Sequence, residues 1–126
     1  MTAETPQSQS FAISRHGDIA VITPAPEVEG MPENLIQQAA GIVLAPLNAS
    51  PPAGLVVDLS NVSFFGSVFI SFLLKCHMHA KRQGYEMVLA GCSPRARELL
   101  HLTALDTLWA LYDSLDEALE SLGGSD

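Results

Sequence analysis

Residues 55–75 of the chain read LVVDLSNVSFFGSVFISFLLK, and this stretch decides the fold. Residues 55–59 are apolar apart from one aspartate, as expected for a strand that is covered on both faces. After a short polar break, residues 67–82 carry apolar side chains at helical spacing, and Gly84 suits the position just past a helix end. The stretch therefore predicts a buried strand, a short corner, and a helix that begins at Ser67.

The residues before this stretch predict a hairpin and a helix. Two alternating runs, residues 11–15 and 19–23, flank a Gly-Asp turn, and we expect a β-hairpin that ends at Pro24 because proline cannot donate to a ladder. Pro32 suits the first turn of a helix that stops near Pro46. The apolar side chains that recur at helical spacing along it are Leu35, Ile36, Ala39, Ile42 and Val43.

The residues after it complete an α/β pattern. Residues 87–90 are typical of a second buried strand, and strand, helix and strand at this spacing predict a right-handed crossover between parallel strands. A Ser-Pro pair at 93–94 caps and opens a third helix. Residues 108–112 suit a short strand, and the acids at 113–117 begin a last helix. The predicted fold class is one α/β domain, a mixed β-sheet of N-terminal hairpin plus parallel strands, flanked by about four α-helices.

Length and charge limit the class of protein. The chain has 126 residues, of which 48% are apolar, and a formal net charge of −8. We expect one domain over residues 11–122, a disordered tail over 1–10 and a short tail over 123–126. The negative charge disfavours a nucleic-acid partner, and no apolar run approaches the ~20 residues of a membrane span. No basic segment precedes an apolar one at the start, so we expect no secretion signal and a cytoplasmic protein.

The thiols and imidazoles of the chain do not predict a metal centre. Cys76 and Cys92 do not make a disulfide framework. Cys76, His77 and His79 cluster in sequence, but helix residues two apart point in different directions, so His77 and His79 cannot share an ion. We expect no metal and no cofactor.

The sequence also carries no recognisable catalytic constellation. A Ser-His-Asp hydrolase would need a base and an orienting acid beside Ser67, and neither His101 nor Asp58 has a diagnostic spacing. No Gly-Lys-Ser/Thr loop is present to bind a nucleotide. We therefore expect no enzyme, and we expect Asp58 to satisfy backbone groups in the corner after its strand.

Ser67 has two compatible interpretations at the strand-to-helix corner. As a helix cap, its oxygen would accept a bond from an N–H one turn further on, worth about 1 kcal/mol relative to alanine. As a modification site, it would place a phosphate beside a helix N-terminus, which favours negative charge. The residues alone leave both open.

The faces of the central helix follow from its spacing. We expect the core face to hold Phe69, Ile70, Leu73, Cys76, His77 and Ala80. Toward solvent near Ser67 we expect Val68, Ser71, Phe72 and Lys75, and further along His79, Lys81 and Arg82. An exposed apolar cluster of this kind indicates an interaction surface, and the alternative is that another helix covers it.

Residues 58–67, Asp-Leu-Ser-Asn-Val-Ser-Phe-Phe-Gly-Ser, resemble the central motif of the STAS domains, the bacterial anti-sigma factor antagonists. The motif typical of that family is Asp-Leu-Ser-Gly-Val-x-Phe-aromatic-or-aliphatic-Asp-Ser-Ser-Gly-Leu. The similarity covers about residues 11–122 and is strong from residue 55 onwards. It continues without a gap through residues 73–75, 84, 88–89, 93–94, 97–100, 103–106 and 113–118.

The resemblance implies a function in partner switching. In the family, the unmodified antagonist binds an anti-sigma factor that is also a serine kinase, and so frees the sigma factor. Phosphorylation of the motif serine dissolves the complex, and a phosphatase restores it. The resemblance therefore implies a non-enzymatic regulatory protein with Ser67 as its phosphorylation site. With the helix faces above, the expected partner-binding residues are Gly66, Ser67, Val68, Ser71, Phe72 and Lys75.

Three departures from the family pattern keep other functions open. The family aspartate before the acceptor is Gly66 here, the following Ser-Gly is Val68 and Phe69, and the first loop lacks the usual Gly-x-x-Asp. One alternative is an interaction scaffold of the same fold that is not phosphorylated. Another is a small-ligand or lipid-binding domain, since the family fold also occurs in anion transporters and sensors.

Overall fold

The computed structural model describes residues 10–123, whose strands form one mixed sheet in the order β1-β2-β3-β4-β5. The strands are β1 (Phe11–His16), β2 (Ile19–Pro24), β3 (Gly54–Asp58), β4 (Glu86–Ala90) and β5 (Leu111–Tyr112). Strands β1 and β2 are antiparallel, and every later neighbour pair is parallel. The predicted fold class is confirmed. The expected tails at residues 1–10 and 123–126 fall, except for Ser10 and Gly123, outside the described residues.

Four α-helices and two short 3-10 helices complete the described part of the chain. They are α1 (Glu33–Ala49), α2 (Ser67–Gln83), α3 (Pro94–Leu102) and α4 (Leu115–Ser121), with 3-10 turns at Pro26–Gly30 and Leu105–Thr107. Within residues 10–123, none of these helices combines the length and apolarity that crossing a membrane requires.

The central strand β3 is buried on both faces, as its apolar sequence predicts. Leu55 and Val57 belong to the large core cluster that also contains the inward side chains of α1 and α2. Val56 points the other way, into a smaller cluster with Ala118 and Leu119 of α4. Because successive strand residues face opposite sides, a run without polar positions can only be satisfied by covering both faces.

Local signals place the helix ends. Ser93 caps α3 by accepting a bond from the Ala96 N–H, and Ser114 caps α4 in the same way through the Glu117 N–H. Gly84 ends α2 in the left-handed region at φ 85°, where glycine has no Cβ penalty. The cap at Ser93 and the stop at Gly84 are confirmed as predicted from sequence.

Helix α1 differs from the prediction in its end and in its inner face. It continues through Pro46 to Ala49, because fully buried Leu47 holds the last turn in the core and the Ser50 N–H bonds to the Pro46 carbonyl. Leu35 and Ile42 are each 42% exposed. The residues that actually face the core are Ile36, Ala39, Ala40, Val43 and Leu47.

The prediction that Phe72 faces solvent is wrong. Its side chain is fully buried, with its ring centroid 4.7 Å from that of Phe11 in the hairpin and 5.3 Å from that of Phe69. The first two turns of α2 are apolar nearly all round, so their periodicity selects no face. The hairpin supplies the partner ring that turns Phe72 inward.

In the second half of α2, too, the residues that face the core differ from those predicted. His79, predicted on the solvent face, is only 6% exposed, and its Nδ1 lies 2.9 Å from the Tyr85 hydroxyl. His77 and Ile70, predicted in the core, are half-buried. The buried residues of α2 are Phe69, Phe72, Leu73, Cys76, His79 and Ala80.

Replacing Phe72 tests this packing. We expect Phe72→Ala to lower the free energy of unfolding by about 3–5 kcal/mol, since it leaves a cavity between two rings. Met78→Ala removes a side chain of the same helix that is 50% exposed, and should lower the free energy of unfolding by less than about 1 kcal/mol. Urea denaturation of both variants measures the difference, and equal effects would contradict the burial of Phe72.

The buried imidazole predicts a pH dependence of stability. Burial, and to a lesser degree the charge of Arg82, lowers the pKa of His79 below its ordinary value of 6.5. Below that pH the unfolded chain binds a proton that the folded chain does not, so stability is full above it and falls as the pH drops. We expect the midpoint of urea denaturation to change less between about pH 7 and pH 5 in His79→Gln than in the unchanged protein. If His79→Gln lost stability over this pH range as much as the unchanged protein does, His79 would not be the source of the pH dependence.

Candidate functional site

The loop between β3 and α2 is the corner that carries the motif, and its apolar residues anchor it. Val62 and Phe65 are buried, and the Phe65 ring lies 5.1 Å from that of Phe69. Asp58 Oδ1 accepts a bond from the Ser60 N–H at 3.1 Å, which confirms the role expected for this aspartate. The loop is therefore anchored in the hydrophobic core by buried side chains.

Ser63 is the polar anchor of the same loop. Its backbone N–H and its hydroxyl both donate to Glu29 Oε2, at 3.0 and 3.2 Å. Its carbonyl oxygen accepts from the Ser93 hydroxyl at 2.5 Å. The corner is thus held from one side by the 3-10 turn Pro26–Gly30 and from the other by the start of α3.

Ser67 is the first residue of α2, and it is exposed. Gly66 occupies the cap position and has no side chain with which to cap, so the interpretation of Ser67 as the N-cap is wrong. Within residues 10–123 the Ser67 hydroxyl has no hydrogen-bond partner. A Cβ at position 66 would meet no atom within 4 Å apart from its chain neighbours, so Gly66 is not required by close packing at this atom. The serine hydroxyl is free to react or to bind.

A cleft of about 340 Å³ opens beside this hydroxyl. Its charged residue is Glu29, and a helix N-terminus forms part of its wall. The sequence did not predict Glu29 as a site residue, because no spacing rule links it to a serine in a different element. The residues that line the cleft are Val28, Glu29, Gly30, Met31, Gly66, Ser67, Val68 and Phe69.

The expected partner-binding residues divide between two surfaces. Gly66, Ser67 and Val68 line the cleft just described. Ser71 and Lys75 line a groove of about 390 Å³ between α1 and α2, whose other residues are Leu44, Leu74, Met78 and Arg82. Phe72 belongs to neither surface, because it is buried under α2.

Phe64 of the loop and Arg95 of α3 form a contact that the sequence did not predict. Phe64 is 37% exposed, and the Arg95 guanidinium carbon lies 4.4 Å from its ring centroid. Such a cation–π contact is worth about 0.5–1 kcal/mol at an exposed site. The pair joins the motif loop to the first turn of α3.

Two thiols and two imidazoles outside the cleft are buried, half-buried or hydrogen-bonded. Burial raises the pKa of Cys76 to about 12 and that of Cys92 to about 11, so both are thiols at neutral pH. His77 Nδ1 accepts from the Trp109 indole at 3.1 Å. Across residues 10–123, no three His, Cys, Asp or Glu side chains come together as metal ligands would. His101 is engaged with Asp106 at 3.0 Å.

Ser93 should govern both α3 and the motif loop. We expect Ser93→Ala to cost about 1–2 kcal/mol, because it removes a cap and also the donor to Ser63. Hydrogen exchange of the amides in residues 60–66 should speed up. Ser114→Ala is the matched control: it removes the cap of α4 but touches nothing in this loop. Unchanged exchange in Ser93→Ala would contradict the anchoring role.

Comparisons with known proteins agree with this geometry. A model of the STAS domain family matches residues 11–118. Over 119 residues the chain is 28% identical to the anti-sigma-F factor antagonist RsfB of Mycobacterium tuberculosis, covering 94% of this chain and 93% of the relative. A solved anti-sigma-factor antagonist (STAS) domain protein from Planctomyces limnophilus is 29% identical with a TM-score of 0.76, covering 90% of this chain and 97% of the other.

A second solved structure, an anti-sigma factor antagonist from Mycobacterium paratuberculosis, is 30% identical with a TM-score of 0.68. It covers 96% of this chain and 99% of its own. The family match spans nearly all of the described residues. The chain therefore belongs to the STAS domain family.

Proposed function

We propose that this chain is a non-enzymatic regulatory domain of the anti-sigma factor antagonist type, controlled by phosphorylation of Ser67. The observation that carries the proposal is the exposed, unbonded hydroxyl of Ser67 at the first position of α2. Relatives of similar length are named anti-sigma factor antagonists. The proposed partners are an anti-sigma factor that is also a serine kinase, and a phosphatase, all in the cytoplasm.

A phosphate on Ser67 can switch binding by charge alone. It would add roughly −1.5 to −2 charges at a helix N-terminus, which tolerates them because the first-turn N–H groups are unpaired. The same charge would repel an acidic partner surface and would cost desolvation in an apolar contact. In the unmodified protein the cleft is lined by Val68, an apolar residue, and the neighbouring Phe64 of the loop packs against the positive Arg95.

Gly66 supports a second candidate, an interaction scaffold of the same fold that is not phosphorylated. The family aspartate beside the acceptor is missing, although a Cβ at this position would meet no atom within 4 Å apart from its chain neighbours. The partner surface would then be permanently in its unmodified state. The groove between α1 and α2 is large enough for a small ligand, which is the remaining alternative.

Phosphorylation and binding assays at Ser67 test the proposal. Incubation with the anti-sigma factor kinase and ATP should label Ser67 in the full chain and leave Ser67→Ala unlabelled, as mapped by mass spectrometry. Ser67→Asp should bind the anti-sigma factor at least ~10-fold more weakly than the unmodified protein, whereas Ser67→Ala should bind alike.

Ser14→Asp is the matched charge control, because Ser14 is an exposed serine on the hairpin. It should leave the affinity unchanged. Phosphate on another residue would refute the assignment of Ser67. Equal affinities of Ser67→Ala and Ser67→Asp, without labelling, would favour the scaffold.

A further inference from the structure

Glu29 holds the motif loop through a single carboxylate oxygen. Oε2 accepts from both the backbone N–H and the hydroxyl of Ser63, which lies 34 residues further along the chain. The backbone of the 3-10 turn that carries Glu29 is held in place, because neighbouring Val28 is buried and its N–H bonds to the Ala25 carbonyl. A hydrogen bond to a charged acceptor is stronger than a neutral one, so this contact is a substantial part of what orders the loop.

Glu29 and Ser67 line the same cleft. Among the residues that line this cleft, Glu29 is the charged one, and no lysine or arginine contributes to the lining. A phosphate on Ser67 would therefore meet a negative charge without a cation between them. The N-terminal amides of α2 attract the phosphate and hold it at the helix end of the cleft. The Glu29 carboxylate is therefore the group that moves away.

We propose that Glu29 is the positioning residue of the Ser67 switch, holding Ser63 in the unmodified protein and releasing it when Ser67 carries a phosphate. The proposal rests on the proposed function of Ser67 as the phosphorylation site. It assigns a regulatory role to a carboxylate from the 3-10 turn in a chain whose motif has Gly66 where the family has aspartate.

Release of Ser63 would alter the surface that a partner meets. Phe64 follows Ser63 directly in the same loop and is 37% exposed. Once the Glu29 contact is lost, the Ser63 carbonyl remains bonded to Ser93, so the polar contacts of Ser63 come from the α3 side only, while Val62 and Phe65 still hold the inner side of the loop. A partner would then sense both the added charge and a less ordered loop.

The test uses phosphoserine installed genetically at position 67 of the full chain, so that no kinase is needed. The readout is hydrogen exchange of the Ser63 amide, followed by NMR. Phosphoserine should speed this exchange about tenfold or more in the otherwise unchanged protein, because a charge-assisted bond is lost. In Glu29→Gln the increase should be below about threefold, since the amide oxygen still accepts the bond but carries no charge to be repelled.

Two further variants separate charge from structure. Glu27→Gln, in the same 3-10 turn but outside the cleft lining, should respond to phosphoserine as the unchanged protein does. Glu29→Ala should exchange fast at Ser63 without any phosphate and gain little from it. Raising the salt to about 1 M should shrink the phosphoserine effect in the unchanged protein, because repulsion across an open cleft is screened.

The proposal is overturned if phosphoserine leaves Ser63 exchange unchanged, or if Glu29→Gln responds as strongly as the unchanged protein. Either result is distinct from failure of the proposed function. That failure would appear as absent kinase labelling, or as equal partner affinities of Ser67→Ala and Ser67→Asp, neither of which enters the exchange measurement.

Discussion

A chain of four phenylalanine rings is the contact on which the rest of the structure depends. Phe65 of the motif loop packs on Phe69, Phe69 on Phe72, and Phe72 on Phe11 of the hairpin, with centroid separations of 5.1, 5.3 and 4.7 Å. Each such pair adds about 0.5–1.5 kcal/mol beyond its buried area. This row of rings joins β1 to the loop between β3 and α2. It therefore fixes the rotation of α2 and the position of Ser67.

The corner itself is held by two kinds of anchor with different consequences. Val62 and Phe65 fix its inner side by burial, which no modification at the surface can easily undo. Glu29 and Ser93 fix its outer side through hydrogen bonds to Ser63, which are exposed and electrostatic. Burial therefore fixes the inner side of the loop, whereas the outer side depends on polar contacts that a change of charge at Ser67 would affect under the proposed switch.

Local signals in the sequence were sufficient for most of the fold. The Gly-Asp turn predicted the hairpin, the cap at Ser93 predicted the start of α3, and the glycine at 84 predicted the end of α2, because each depends on neighbouring residues alone. The inner faces of α1 and α2 were partly wrong. Leu35 and Ile42 proved exposed, while Phe72 and His79 proved buried, because a helix that is apolar nearly all round takes its orientation from what packs against it.

The sequence by itself determined the α/β class, the family and the place of Ser67 at a strand-to-helix corner, since these rest on periodicity and on a contiguous motif. Only the tertiary structure decided that Ser67 does not cap its helix, that Phe72 is core, and that Glu29 lies in the cleft beside Ser67. These features depend on which side chains from distant segments meet. Such meetings follow from packing of the whole chain, and no local pattern records them.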